Sequence, residues 1–339
     1  MNMLRVLKMK INPFACAAIL ALFAASASPV CAQQTEPQPE SAGAESDAVE
    51  SAEGGIPASA SAAEADLAFG AFQRGYYLTA FELALPRAQL GDPKAQTLIA
   101  ELYDRGLGVP QDPKEAAAWY KIAAANGDRD ARFGYAVKLL EGKHVAADRE
   151  EARRLMKLAA DDGHATAAFN YAQLILDQQP TTSGAREALP YLKQAANARV
   201  SDSYYVLSQI YQTGKLKGYA EEDKALEWML KAAKAGIDTA QVELGIWLVN
   251  GYNGVKDDKA GFGWMKRAAL GGNIIARNRL AKMYAQGVGT DADPVEAAKW
   301  HILAKRAGLA DAWLDDFINT IDRKVLAKGL EAANRWPSG

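Results

Sequence analysis

Apolar residues recur at the spacing of an α-helix, in paired blocks, along most of this chain. One pair shows the pattern, with one apolar face in each of two consecutive helices. The first face consists of Ala95, Ile99, Ala100 and Tyr103, and the second of Ala116, Trp119, Tyr120, Ala123 and Ala124. A single pair cannot bury both faces, so the pattern predicts helix pairs that pack against neighbouring pairs.

Helix start and stop signals separate the two blocks of each pair. Gly106 and Gly108 are expected to end the first helix, because glycine accepts the left-handed conformation of a helix end. Asp112 is then placed to cap the second helix, and Pro113 occupies its first position. Gly127 is expected to end the second helix.

The pair is repeated with an almost constant period. A small residue opens each unit, and the steps between successive openers are 36, 36, 36, 37, 36 and 36 residues. The openers are Ala95, Ala131, Ala167, Ser203, Ala240, Ala276 and Ala312. Four residues before each opener stands Gly91, Gly127, Gly163, Arg199, Gly236, Gly272 or Gly308. A fixed period of this length predicts an all-α fold, an α/α solenoid of helix–turn–helix repeats.

The unit resembles the Sel1-like repeat, a relative of the tetratricopeptide repeat. The first unit, 95–127, carries the motif almost position for position, and the resemblance covers about residues 65–311. Its motif residues are Leu102, Tyr103, Gly106, Gly108, Val109, Asp112, Ala116, Trp119 and Tyr120. The third unit departs most, because Gln178 replaces the loop glycine and an irregular polar loop is expected over 177–184. The resemblance implies an adaptor that binds other proteins and leaves the partner open.

The repeats define the expected domain organisation. Six Sel1-like repeats are predicted over 95–311, preceded by a shortened repeat over 64–94 in which Pro86 is expected to kink the second helix. Capping helices are predicted over 312–339, because a solenoid must hide its last apolar face from water.

The first 63 residues have a different composition. Residues 1–32 are typical of a secretory signal peptide, with basic residues, an apolar run too short to span a membrane, and small residues at the cleavage site. Cys31 stands near a lipidation position, but the residues before it disfavour a lipid anchor. Residues 33–63 are rich in Pro, Ser, Ala and acidic residues, which predicts a disordered tether in a periplasmic or secreted protein. Whether this acidic segment masks the binding groove is left open.

Composition excludes several classes of function. Both cysteines, Cys16 and Cys31, fall within the predicted signal, so no disulfide or thiol chemistry is expected after it. The net charge of −2 argues against a nucleic-acid partner. His144, His164 and His301 lack the spacing of a helix-borne metal site, and no cofactor is predicted. No hydrolase motif is present, so the chain is expected not to be an enzyme. The β-lactam-binding Sel1-like proteins are cysteine-rich, which weakens a β-lactamase-like alternative.

The candidate binding residues lie on the first helix of each pair. Positions two and nine residues after the opener point away from the face that packs inward. In units two to four these positions carry Phe133, Leu140, Phe169, Leu176 and Tyr205. An apolar stripe of this kind would dock a protein or peptide partner of the cell envelope in a concave groove. The alternative is that these residues are ordinary core.

The sequence therefore predicts a non-catalytic periplasmic scaffold or adaptor. The second hypothesis is a protein that binds carbohydrate or peptidoglycan fragments, with aromatic side chains as stacking platforms. The aromatic residues in question are Tyr204, Tyr205, Tyr252 and Trp336.

Overall fold

A computed structural model describes residues 67–218 and 220–336. The predicted signal peptide (1–32) and tether (33–63) lie outside the described residues. Within the described ranges the fold contains sixteen α-helices and one short 3₁₀ turn and no strand, which confirms the predicted all-α class. None of these helices has the length and apolar character needed to cross a membrane.

Twelve helices form six consecutive pairs, which confirms the predicted solenoid of six repeats. Each helix has 12 to 16 residues. The pairs are α3 (Pro93–Arg105) with α4 (Pro113–Ala125), α5 (Arg129–Glu141) with α6 (Arg149–Asp161), α7 (Ala165–Gln178) with α8 (Thr182–Asn197), α9 (Ser201–Gln212) with α10 (Glu222–Lys234), α11 (Asp238–Asn250) with α12 (Asp258–Leu270), and α13 (Ile274–Gln286) with α14 (Pro294–Arg306). The 3₁₀ turn, Tyr252–Gly254, lies in the loop of the fifth pair.

Helices flank the repeats at both ends. Before the repeats stand α1, described over 67–73, and α2 (Tyr77–Gln89), which continues through Pro86. After them stand α15 (Ala312–Thr320) and α16 (Arg323–Asn334).

Aspartate caps begin eight of the described helices. The carboxylate of Asp112 accepts hydrogen bonds from the backbone N–H groups of Lys114 and Glu115 at 3.0 and 3.1 Å. Pro113 occupies the first turn of the same helix, as the sequence predicts. Each such cap satisfies N–H groups that have no partner inside the helix, and so helps to fix where that helix begins.

The core runs between the helix pairs and is built largely from alanine. The six openers from Ala95 to Ala276 are buried, and so are alanine pairs of the second helices such as Ala123–Ala124 and Ala159–Ala160. Small side chains let neighbouring helix axes approach closely, while larger side chains such as Leu155 and Trp300 fill the space between pairs. The core therefore extends from repeat to repeat and has no single centre.

The third repeat differs from the sequence expectation. Only residues 179–181 separate α7 from α8, where an irregular loop over 177–184 was predicted. Thr181 caps α8 by accepting a hydrogen bond from the N–H of Gly184. A Cβ atom at Gly184 would lie 2.0 Å from the carbonyl oxygen of Gln179, so only glycine allows so short a connection.

The repeat phase ends before the seventh opener. Ala312 is exposed, unlike the six openers before it. Instead of continuing the pattern, α16 packs directly on α14, where a Cβ atom at Gly329 would lie 2.6 Å from the Cβ of Ala298. Trp336 contacts Trp300 with ring centroids 5.1 Å apart. The last second helix is therefore covered by α16.

Candidate interaction surface

The first helices of the six repeats present a row of matching positions. We call this row the first-helix face and define it by the residues two, six and nine positions after each opener. The face consists of Thr97, Glu101 and Asp104; Phe133, Val137 and Leu140; Phe169, Gln173 and Leu176; Tyr205, Gln209 and Gln212; Val242, Ile246 and Val249; and Asn278, Lys282 and Ala285. Most of these side chains are partly exposed, so the face is a surface with apolar and polar sections.

Contacts between repeats one to three join the face into a continuous surface. Lys138 donates a hydrogen bond to Asp104 of the preceding repeat at 2.5 Å. The hydroxyl of Thr97 donates to Asp128, the residue that caps the next first helix, at 2.9 Å. The ring of Phe133 stacks on His164 with centroids 4.5 Å apart. These links hold successive first helices in fixed register.

A polar cluster joins repeats four and five on the same face. The hydroxyl of Tyr205 donates to one carboxylate oxygen of Glu243 at 2.8 Å, and the amide of Gln209 donates to the other at 2.9 Å. Burial raises the pKa of Glu243 above its usual range, and the two hydrogen bonds only partly offset that shift. Burial and the nearby Glu243 charge likewise raise the pKa of Tyr205. The hydroxyl of Tyr205 is therefore a neutral donor.

The predicted partner-binding residues differ in exposure. Leu140 is 37% exposed, and Phe133, Leu176 and Tyr205 are partly exposed. Phe169 is only 7% exposed and belongs to the hydrophobic core. For this residue the structure agrees with the alternative that the candidate binding residues are ordinary core. Partner binding by these residues stays a prediction, and Leu140 offers the most accessible apolar side chain among them.

The three histidines have separate surroundings. His144 is exposed in the loop between α5 and α6. His164 caps α7, its Nδ1 accepting the N–H of Ala167 at 3.0 Å. His301 is 3% exposed and its Nε2 lies 2.8 Å from Asp315 between α14 and α15. No group of three or more metal-ligating side chains occurs within 67–218 and 220–336.

A cleft lies where the N-terminal helices meet the first two repeats. Its volume is about 570 Å³, and its walls include Phe69, Lys94, Glu101 and Asp128. Asp128 is already engaged as the cap of α5 and as the acceptor of Thr97. Glu101 forms an ion pair with Arg105 at 2.8 Å. The carboxylates of this cleft are thus used in structural contacts.

The aromatic residues considered for glycan stacking are already engaged with other side chains. Tyr204 stacks on Trp228 with centroids 5.9 Å apart, and Tyr252 on Trp247 at 4.2 Å. Trp336 packs against Trp300, and the hydroxyl of Tyr205 is bonded to Glu243. Tyr204, Tyr252 and Trp336 therefore each already contact another aromatic ring, and the hydroxyl of Tyr205 is already engaged.

The helical periodicity of the sequence does not identify the polar cluster around Glu243. Glu243 is three residues after its opener, a position outside the three used to define the face. Other repeats carry Leu98, Gly134, Asn170, Val206 or Arg279 there. An acid at a position that is otherwise mostly uncharged was a signal that alignment of the repeats could have shown.

Comparison with known proteins agrees with this geometry. The family model for the Sel1 repeat matches residues 93–128, 129–164, 165–199, 201–237, 239–273 and 274–309, which together exceed half of the chain. A crystal structure of a Sel1 repeat protein from Oxalobacter formigenes is 27% identical with a TM-score of 0.61. The similarity covers 73% of this chain and 99% of that one.

Two further proteins are similar over smaller shares. A protective antigen of uropathogenic Escherichia coli that displays the SLR fold shares the fold, with 24% identity, a TM-score of 0.51, and coverage of 76% of this chain and 64% of that chain. Chitin synthase regulatory factor 3 of Schizosaccharomyces pombe is 31% identical over 108 residues, 31% of this chain. The match spans only 12% of that curated relative.

Sel1 repeat proteins generally mediate protein–protein interactions, and their scaffold is typically non-catalytic. The six matched repeats coincide with the six helix pairs of the fold. This chain belongs to the Sel1 repeat family.

Proposed function

We propose that this protein is a non-catalytic adaptor of the cell envelope that holds a protein or peptide partner on the first-helix face. The observation that carries the proposal is a continuous face, fixed by contacts between repeats, that keeps apolar side chains accessible. Leu140 is exposed on it, and Phe133 and Leu176 are partly exposed nearby in the repeat order. Accessible apolar surface rimmed by polar groups is typical of protein-binding sites.

The apolar section of the face suits an amphipathic segment. Phe133 and Leu140 lie on α5, and Leu176 follows at the same repeat position as Leu140 on α7. Moving an apolar side chain from full exposure to full burial contributes roughly 1.5–3 kcal/mol, and these partly buried side chains would each contribute a fraction of that when covered. The cross-repeat contacts hold the face before the partner arrives, so less conformational entropy is lost on binding.

Location in the periplasm or outside the cell is the second part of the proposal. It rests on residues 1–32, whose basic start, apolar run and small residues before position 33 are those of a secretory signal. Fractionation of the native host, followed by N-terminal sequencing, tests it. We expect a mature chain that begins near residue 33 in the exported fraction. A cytoplasmic chain that retains residues 1–32 would contradict this part.

Site-specific crosslinking in the native host tests the adaptor role. A photo-reactive p-benzoyl-phenylalanine replaces Leu140 or Leu176 on the face, and in a third variant it replaces Ile122. Ile122 is a matched control because it is apolar and 45% exposed but belongs to the second helix α4. We expect the same protein to be captured from positions 140 and 176 and not from position 122.

The captured protein must then bind the purified adaptor without the crosslinker. Equal capture from all three positions, or background alone at 140 and 176, would contradict the assignment of the face. A glycan polymer recovered in place of a protein would favour the carbohydrate hypothesis.

A further inference from the structure

The carboxylate of Glu243 is held in a fixed position at the joint between repeats four and five. Each of its oxygens accepts one hydrogen bond, from Tyr205 at 2.8 Å and from Gln209 at 2.9 Å. Both donors are first-helix-face residues of the preceding repeat, so the carboxylate lies at the border of that face. A carboxylate can accept about four hydrogen bonds, which leaves capacity for further donors.

No cation from the described part of the chain balances this carboxylate. Among residues 67–218 and 220–336, no lysine, arginine or histidine lies within ion-pair distance of Glu243. By contrast, Asp104 on α3 pairs with Lys138, and Asp311, which caps α15, pairs with Lys282 at 2.6 Å. The two neutral donors fix the orientation of Glu243 but leave its charge uncompensated in a half-buried site.

Apolar side chains border the carboxylate on its own helix. Repeat five is apolar at all three first-helix-face positions, with Val242 directly before Glu243, Ile246 one turn later, and Val249 beyond. Val242 is buried, whereas Ile246 and Val249 are partly exposed. A partner that covers this section would remove water from Glu243 and strengthen any charge pair formed there.

We propose that Glu243 is an anchor for a lysine or arginine side chain of the partner, flanked by apolar residues that contact repeat five. The inference deepens the proposed function and rests on it. The geometry of the anchor is set before binding, since Tyr205 and Gln209 already orient both oxygens. The partner cation supplies a charge that no residue within 67–218 and 220–336 places beside Glu243, and it donates to the unused lone pairs of the carboxylate.

Selection from a random peptide library tests the anchor without knowledge of the partner. The full-length gene is expressed, and the purified protein is compared with its Glu243→Gln and Glu227→Gln variants. Gln at 243 can still accept from Tyr205 and pair with Gln209, so the fold is retained while the charge is lost. Glu227 is a matched control because it is on the second helix α10 and already paired with Lys231.

We expect the unmodified protein and Glu227→Gln to enrich peptides with a basic residue among apolar ones. The Glu243→Gln variant should lose the basic preference and keep the apolar one. A selected peptide should bind Glu243→Gln at least about tenfold more weakly, and replacing its basic residue by norleucine should abolish that difference.

The outcomes separate the two proposals. Peptides that are enriched in apolar residues alone, and that bind the unmodified protein and Glu243→Gln equally, would overturn the anchor and leave the adaptor role standing. A library that yields no binder at all would contradict the adaptor role together with the anchor. Thermal melting of each variant verifies that any change in binding is not a loss of fold.

Discussion

Single residues decide the backbone path at the joints between repeats. The residue four positions before each opener lies at the joint between two repeats. Six of these joint residues are glycines with φ between +87° and +99°: Gly91, Gly127, Gly163, Gly236, Gly272 and Gly308. L-amino acids with a side chain rarely adopt this region. Arg199 occupies the same position in repeat three with φ of +65°, nearer to the left-handed helical region that non-glycine residues can reach. The sequence pattern therefore predicts the glycines but not how the chain accommodates the arginine.

Exchanging residues at two joints should change stability in opposite directions. Arg199→Gly should raise the free energy of unfolding by about 1 kcal/mol, because a left-handed conformation costs an L-residue roughly 1–2 kcal/mol. The exposed arginine side chain gives up little packing. Gly127→Val should lower the free energy of unfolding by about 1–2 kcal/mol for the converse reason. Denaturant unfolding measures both, and equal stability of the two variants would show that the joint is not strained.

His164 makes the joint between repeats two and three sensitive to pH. Burial lowers its pKa below the ordinary value of 6.5, and the nearby Asp130 at 3.6 Å only partly opposes this shift. The neutral ring caps α7 through Nδ1, and protonation would remove that acceptor. The unfolded chain therefore takes up its proton at a higher pH than the folded chain. The neutral His164 ring contributes its full share to the free energy of unfolding above the pKa that it has in the unfolded chain. That contribution is lost as the pH falls through the lower pKa that it has in the folded chain.

A His164→Asn variant isolates this effect. Asparagine caps α13 in the same way through Asn273, so the cap is kept without a titrating ring. Between about pH 7.5 and about pH 5, we expect the melting temperature of the unmodified protein to fall more than that of the variant. If the melting temperatures of the two proteins fall in parallel with pH, His164 has the same pKa in the folded and unfolded chains, which would contradict this account.

At the scale of the helix, the structure depends on how closely neighbouring elements approach. The sequence predicts the helix pairs well because caps such as Asp112 and period-setting alanines are local signals. It does not predict that the loop between α7 and α8 shrinks to three residues. It also does not show that Ala312 is exposed and that α16 covers α14. Both outcomes depend on close contacts between distant residues, at Gly184 and at Gly329, which have no local pattern.

Two glycine-to-alanine substitutions in helices test the contact between α16 and α14. Gly329→Ala would place a Cβ atom 2.6 Å from Ala298, so we expect the free energy of unfolding to fall by about 1–3 kcal/mol. Gly263→Ala is the matched control, because nothing lies within 4 Å of a Cβ at this helical position. It should raise the free energy of unfolding by about 1 kcal/mol through helix propensity alone. A stabilising effect at both positions would contradict the close packing of α16.

At the scale of the whole molecule, the repeat separates positions that build the fold from positions that vary. The opener is small in all six repeats, whereas two residues later the chain carries Thr97, Phe133, Phe169, Tyr205, Val242 or Asn278. The positions that hold a small residue in every repeat reveal the period and hence the solenoid. Variable positions carry the chemistry of the face, and their contacts depend on the next repeat. The sequence therefore predicts the fold, while the burial of Phe169 in the core and the hydrogen-bonded Glu243 at the border of the first-helix face required the structure.

Binding of the captured partner to purified variants is the measurement that tests the first-helix face most directly. Leu140→Asp is compared with Ile122→Asp, because both introduce a charge at an exposed apolar side chain. Neither should change the free energy of unfolding by more than about 0.5 kcal/mol. The adaptor account predicts that Leu140→Asp weakens the partner at least about tenfold and that Ile122→Asp does not. Equal affinities for the two variants would contradict it.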